Sequence, residues 1–297
     1  MQSSRGGKKR SNLRRKAPKS RKDVAILSKP MRRAIKQVIA TQAETKRATF
    51  YQTANNGSSG AIATGLFSGR GWAVQNNTIT NNTTDLLQII PYLAQGTNDW
   101  ERIGKTVRTV ALNVKGSVRI TGSLVNAIGT PGTNLVVYLY FLQHVSLKDY
   151  TNLRARNDMT QLLETGEGYN APFLGNTLDP HQPVANEWYN LLTRRKIVLR
   201  YGGAALPGGT LTTPVSVANA HQWYADFDVN LTKHCPKKLV FPEDDVSLPP
   251  TVYNSPTNSS IFMCVGFVDE SQGSPGSTLV RPWLEQTYVS SYLYKDM

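Results

Sequence analysis

Val107–Ile120 reads VRTVALNVKGSVRI, and its spacing decides the fold. Val110, Leu112, Val114, Val118 and Ile120 share one phase, and Thr109, Asn113, Lys115, Ser117 and Arg119 share the other. Period two marks a strand with one buried and one wet face. Trp223–Leu231 follows the same rule. Trp223, Phe227, Val229 and Leu231 fall on one side, and Tyr224, Asp226, Asp228 and Asn230 on the other. LVVYLYFL (Leu135–Leu142) and IFMCVGFV (Ile261–Val268) are apolar in both phases, as expected of strands covered on both faces.

Further strands are predicted at Leu86–Leu93, Arg195–Tyr201 and Thr287–Tyr294, with an eighth near Thr251–Tyr253. One helical interruption is predicted over roughly Leu147–Leu163. GTPG at 129–132, GGAALPGG at 202–209, SLPPT at 247–251 and GSPGS at 273–277 punctuate the chain as loops. No internal repeat is visible. Short strands joined by long connections predict an all-β antiparallel sandwich or barrel over residues 51–297, and the long connections favour a jelly roll over simple hairpins.

Residues 1–50 differ in kind. They hold 16 Lys/Arg against Asp23 and Glu44, a net charge of +14, which equals the net charge of the whole chain. Residues 51–297 hold 18 Lys/Arg and 18 Asp/Glu, and are neutral. A polycation joined to a neutral body points to a polyanionic partner for the leader. Residues 1–22 carry ten Lys/Arg, no acid and one Leu, too little apolar surface to offset ordering, so a disordered arm is predicted. Over residues 28–47, Met31, Ala34, Ile35, Val38 and Ile39 recur at helical spacing after Ser28 and Pro30, with Arg32, Arg33 and Lys36 opposite; a short basic helix is predicted. Residues 55–84, rich in Gly, Asn, Ser and Thr, read as loop or extended arm.

The sequence argues against several classes. Cys235 and Cys264 form neither a disulfide framework nor a paired metal motif, and read as small buried side chains. The N-terminus lacks the apolar stretch of a secretory signal, so Asn76, Asn82, Asn230 and Asn258 read as chance glycosylation matches. The longest apolar run, Leu135–Leu142, is too short to span a bilayer. There is no phosphate-cradling glycine loop, HExxH or GxSxG, and His144, His181, His221 and His234 are scattered. His234 beside Cys235 is a weak zinc signal. Glu243-Asp244-Asp245 and the pair Asp226 and Asp228 read as solvated carboxylates before they read as a calcium site. Trp72, Trp100, Trp188, Trp223 and Trp283 read as core or interface anchors. The expectation is a non-enzyme with no cofactor and no metal.

Several segments resemble the capsid proteins of small eukaryotic viruses with circular single-stranded DNA genomes that encode a replication initiator. QAETKRATF (Gln42–Phe50) is similar to that family's arm-to-shell junction. QGTNDWERI (Gln95–Ile103) resembles the entry to its long third sheet element, with QGTND replacing the commoner glycine-containing version. NEWYNLLTRRKIVLRY (Asn186–Tyr201), TVYNSPTNSSIFMCVGFVDES (Thr251–Ser271) and YVSSYLYKDM (Tyr288–Met297) resemble its later strands. The resemblance implies an eight-stranded antiparallel jelly roll, built as a two-sheet sandwich, in a coat subunit that assembles as sixty copies in an icosahedral shell and is found in the virion and, during assembly, in the host nucleus. It also favours single-stranded DNA as cargo. A single-stranded RNA virus coat or a cellular nucleic-acid-binding protein with a basic tail are the alternatives.

The arm's chemistry stands apart from that resemblance. Arg5, Lys8, Lys9, Arg10, Arg14, Arg15, Lys16, Lys19, Arg21 and Lys22, with Arg32, Arg33 and Lys36 from the helix, are the candidate nucleic-acid-binding residues. Lys and Arg beside phosphates release condensed counterions, which gives strong, salt-sensitive and nearly sequence-blind binding. Sixty such leaders would carry roughly 840 positive charges, a substantial part of the charge on a genome of a few thousand nucleotides. KKR (Lys8–Arg10), RRK (Arg14–Lys16) and KSRK (Lys19–Lys22) also match basic import signals.

Overall fold

The computed structural model describes residues 44–51, 73–75, 79–80, 85–98, 101–121, 133–166, 169–201, 224–242, 255–270 and 283–296, and the helical positions Pro30, Met31, Ala34 and Val38. The chain divides into two units, Met1–Gln42 and Ala43–Met297. In the first, the four described positions agree with the helix expected there, and Met31 and Val38 are exposed. The expected disorder of residues 1–22 and the eighth strand near Thr251–Tyr253 lie outside the described residues.

The second unit is a sandwich of two antiparallel sheets. The first sheet is built on β4 (Thr106–Thr121) and β12 (Trp283–Asp296), which pair along most of their length. Each flank of this pair carries two short strands. β1 (Thr45–Tyr51) and β2 (Ala73–Gln75) lie along β12, and β9 (Tyr224–Asn230) and β10 (Lys238–Val240) lie along β4. The second sheet has the order β3-β11-β5-β8, with β3 at Leu87–Gln88, β5 at Thr133–His144, β8 at Tyr189–Tyr201 and β11 at Ile261–Asp269. A small hairpin, β6 (Leu163–Gly166) and β7 (Tyr169–Ala171), stands apart.

The two apolar patterns map onto two cores. Leu112, Val114 and Val118 of β4 and Phe227 and Val229 of β9 meet Leu135, Val137, Leu139, Phe141, Met263 and Val265 between the sheets. The other phase of β5 and β11 (Val136, Tyr138, Tyr140, Leu142, Phe262, Cys264) packs beneath a cover drawn mainly from residues 147–189. That cover includes helix α1 (Tyr150–Arg156), a 3-10 turn at Met159–Gln161, and Phe173. The Tyr189 hydroxyl donates to Asn157 Oδ1 at 2.6 Å, pinning the end of the helix to β8. Gly266 makes room for the cover: a Cβ there would come within 2.6 Å of the Phe173 ring.

Four expectations need correction. Val110 is 40% exposed rather than buried. The register with β12 steps from Leu293↔Ala111 to Tyr294↔Thr109, so Val110 is the extra residue of a bulge and the inward phase changes there. Val107 is buried before the bulge, and Leu112 after it. The helix expected through residue 47 gives way to β1 at Thr45, ahead of the anticipated boundary at residue 51, because Thr45, Thr49, Phe50 and Tyr51 favour extended backbone and pair with β12. The strand expected over Leu86–Leu93 shortens to Leu87–Gln88; Pro91 cannot donate to a ladder, although Ile89, Ile90 and Leu93 stay buried. The single helix expected over Leu147–Leu163 is a seven-residue helix and a 3-10 turn, with Asp158 accepting from the Thr160 amide.

Candidate nucleic-acid interface

Arg5, Lys8, Lys9, Arg10, Arg14, Arg15, Lys16, Lys19, Arg21, Lys22, Arg32, Arg33 and Lys36 all lie outside the described residues. Two cations counted with them in the leader, Lys46 and Arg47, belong to the first sheet. Lys46 points inward, is buried, and pairs with Asp296 at 3.0 Å while donating to the Glu101 carbonyl at 2.8 Å. The strand following the leader is thus clamped to the end of β12 by a buried ion pair, which is costly to break from one side. Arg47 points outward and donates from Nε to Ser291 Oγ at 2.9 Å.

Beside this clamp lies a residue whose role the sequence did not expose. Arg102, from the QGTNDWERI segment, is fully buried. Its Nε donates to the Leu93 carbonyl at 3.1 Å, and its Nη1 to Gln95 Oε1 at 3.0 Å and the Gly104 carbonyl at 2.8 Å. The guanidinium also lies over the Phe241 ring, 4.9 Å from its centroid. Carbonyls and a π-face replace the water that a buried cation loses. Arg102 therefore orders the loop that leads into β4.

The second sheet is covered on both faces along β5 and β11, whereas, among the described residues, the outer face of the first sheet is open along β4 and β9. This open face holds a concavity of about 850 Å³ lined by residues including Arg47, Asn113, Lys115, Asp226, Asp228 and Ser291. Asp228 and Lys115 pair at 2.8 Å, with both side chains largely exposed. Asp226 accepts from the Tyr224 hydroxyl. Polar side chains of both charge signs share the lining with Phe227, Val289 and Leu293, so groups for hydrogen bonding and ion pairing stand beside a larger apolar surface.

The neutral charge of the body thus conceals local segregation. Strand β8 holds Arg194, Arg195, Lys196 and Arg200 without an acid, all exposed. It is an edge strand, and such charge discourages edge-to-edge pairing. Arg194 is already committed: its Nη1 donates to the Pro180 carbonyl at 2.7 Å, and its guanidinium sits 5.8 Å from the Tyr138 ring centroid.

Among the described residues, Cys235, Cys264 and His144 are poorly placed to act as nucleophile or base. Burial pushes the Cys235 thiol up to about 11 and holds Cys264 well above its ordinary value, so neither is a ready thiolate. His144 is buried at the end of β5, and its Nδ1 accepts from the Ser146 and Leu147 amides at 3.1 and 3.0 Å. Desolvation, then Lys148, lowers its pKa and keeps it a neutral structural cap. Among the described residues, no three His, Cys, Asp or Glu side chains converge as metal ligands. Glu243, Asp244 and Asp245 lie outside the described residues. Of the tryptophans, Trp188 is partly exposed and meets the His144 ring edge-on. No family model matches the chain, and no curated protein matches it.

Proposed function

We propose that the protein is a viral coat protein that self-assembles into a small icosahedral shell and packages a single-stranded DNA genome through its basic N-terminal arm. The observation that carries this reading is the charge division: residues 1–50 hold the whole net charge of +14, and the rest of the chain is neutral. A dense polycation suits a polyanion, and a neutral sandwich can pack against copies of itself without strong net repulsion.

The sheet orders support a jelly roll. Merging the short flanking strands leaves four positions in each sheet, β1/β2-β12-β4-β9/β10 and β3-β11-β5-β8. The last strand lies between the first and the fourth, and β11 lies between β3 and β5, a nested antiparallel order that returns the chain across both sheets. The Lys46 clamp supports the same reading, since an arm under tension from a bound genome needs a fixed root.

The test is imaging and sizing of the purified protein, with nuclease typing of whatever co-purifies. Particles of tens of nanometres or less, containing DNase-sensitive material that is lost when residues 1–27 are deleted, are the expected result. RNase-sensitive cargo would move the protein to the RNA-virus coats. A small species indifferent to polyanions would end the proposal.

A further inference from the structure

Strand pairing in the first sheet brings together three cations that are distant in sequence. Lys238 of β10 stands directly across from Arg108 of β4, and Arg108 directly across from Lys295 of β12. Thr45, the first residue of β1, is across from Lys295 and completes the row. Directly opposed residues of antiparallel strands point to the same face, and adjacent strands lie about 4.8 Å apart. Val107 and Leu239, the inward neighbours, are fully buried, whereas Arg108 and Lys238 are exposed, so the row lies on the outer face. Arg47 lies on that face too, one outward position along β1.

Like charges placed directly opposite one another weaken a sheet. Among the described residues, no carboxylate pairs with Arg108 or Lys238. Asp226 and Asp228, on this face, lie at the far end of β4, opposite Ser117 and Lys115. Six residues, the bulged Val110 among them, separate Lys115 from Arg108, on the order of 20 Å of strand. Lys233 and Lys237, both exposed, add positive charge in the lead-in to β10. Arg108 and Lys238 thus face one another without a described carboxylate partner, and the occupant the pair fits is anionic.

We propose that the facing pair Arg108 and Lys238 is a second phosphate-binding site, on the folded body, which takes the backbone of the same single-stranded nucleic acid as the arm. The placement of the chain favours that occupant over other anions. The basic leader is joined in sequence to Thr45, across from Lys295 and one strand from Arg108, so the chain tethers the leader's polyanion to the sheet that carries these cations. From the row, the face continues into the concavity where Arg47, Asn113 and Ser291 offer further polar contacts. The inference rests on the packaging reading and adds an ordered site to it.

The test uses the full chain and a fluorescent oligothymidylate, with affinity measured against salt concentration. R108Q/K238Q should reduce the slope of log affinity against log salt by about 1.4, since each lost phosphate contact removes about 0.7. The affinity lost between 50 and 200 mM salt then shrinks by about sevenfold. R108K/K238R should retain the parent slope, and both variants should melt no lower than the parent. A second background, with the ten cations between Arg5 and Lys22 changed to Gln, separates the two readings. If that background binds as the parent does, the arm reading fails; if R108Q/K238Q still lowers its slope, the pair stands. An unchanged slope for R108Q/K238Q in both backgrounds overturns the proposal. So does a change in particle size with no change in slope, which would assign the pair to contact with a second copy.

Discussion

The two sheets of the sandwich are held by the same physics and put to different use. Along β5 and β11 both phases are buried, one between the sheets and the other beneath the 147–189 cover. Along β4 and β9 one phase is buried and the other remains open, carrying Asn113, Lys115, Asp226 and Asp228. A strand covered twice has no surface left for a ligand, whereas a strand covered once keeps a row of side chains free for chemistry. Function in the body is therefore sought on the first sheet, and sequence tolerance should differ accordingly.

The sharpest way to break this contrast is to truncate both phases of β5. Leu139→Ala opens the inter-sheet core and Leu142→Ala the second core; each should cost about 2–5 kcal/mol, measured by denaturant unfolding. On the first sheet the same exercise should be lopsided. Leu112→Ala should cost about as much, while Asn113→Ala, its outward neighbour, should stay within about 0.5 kcal/mol. If Leu142→Ala proved as mild as Asn113→Ala, the 147–189 segment would not cover the second sheet in solution.

This contrast was legible in the sequence where periodicity carried it. Alternation in Trp223–Leu231 and its absence in Leu135–Leu142 and Ile261–Val268 gave the one-sided and two-sided strands directly. The bulge at Val110 was not legible, because an extra residue exists only relative to a partner strand. β1 was hidden by a Lys, Glu and Ala-rich stretch that resembles a helix; pairing with β12 overrides that local preference. The cation row was invisible for a related reason. Arg108, Lys238 and Lys295 are unremarkable singly, and only long-range register brings them side by side. Arg102 stood inside a quoted motif, but nothing about its neighbours in sequence announced full burial. The arm's cations, by contrast, were legible as composition alone, which needs no fold.

Glycine 266 gives a smaller and more local probe of the covered face. A Cβ there would lie 2.6 Å from Phe173 Cε1 and 3.1 Å from Ile79 Cδ1. Gly266→Ala should cost about 1–3 kcal/mol by overpacking, and Phe173→Leu in the same chain should return part of that loss. Gly166, in the exposed hairpin, has nothing within 4 Å of its added Cβ, and its change to Ala should stay within about 0.5 kcal/mol. Equal costs at the two glycines would mean that backbone preference, not the Phe173 ring, sets the penalty.

The weakest effect belongs to the open face. Lys115 and Asp228 are joined at 2.8 Å, but their side chains remain 70% and 59% exposed. Water and salt screen such a pair, so a double-mutant cycle should return a coupling below about 1 kcal/mol. The coupling should fade as the screening length falls from about 10 Å at 0.1 M salt to about 3 Å at 1 M. The buried Lys46–Asp296 pair, at nearly the same separation, should keep its coupling over that range, because mobile ions cannot enter between the charges. A Lys115–Asp228 coupling that survived molar salt would mean that this face is dry in solution, covered by a neighbouring copy or by bound polymer. The cycle therefore reports whether the first sheet is open in the free subunit, and repeating it after assembly would show whether packing closes it.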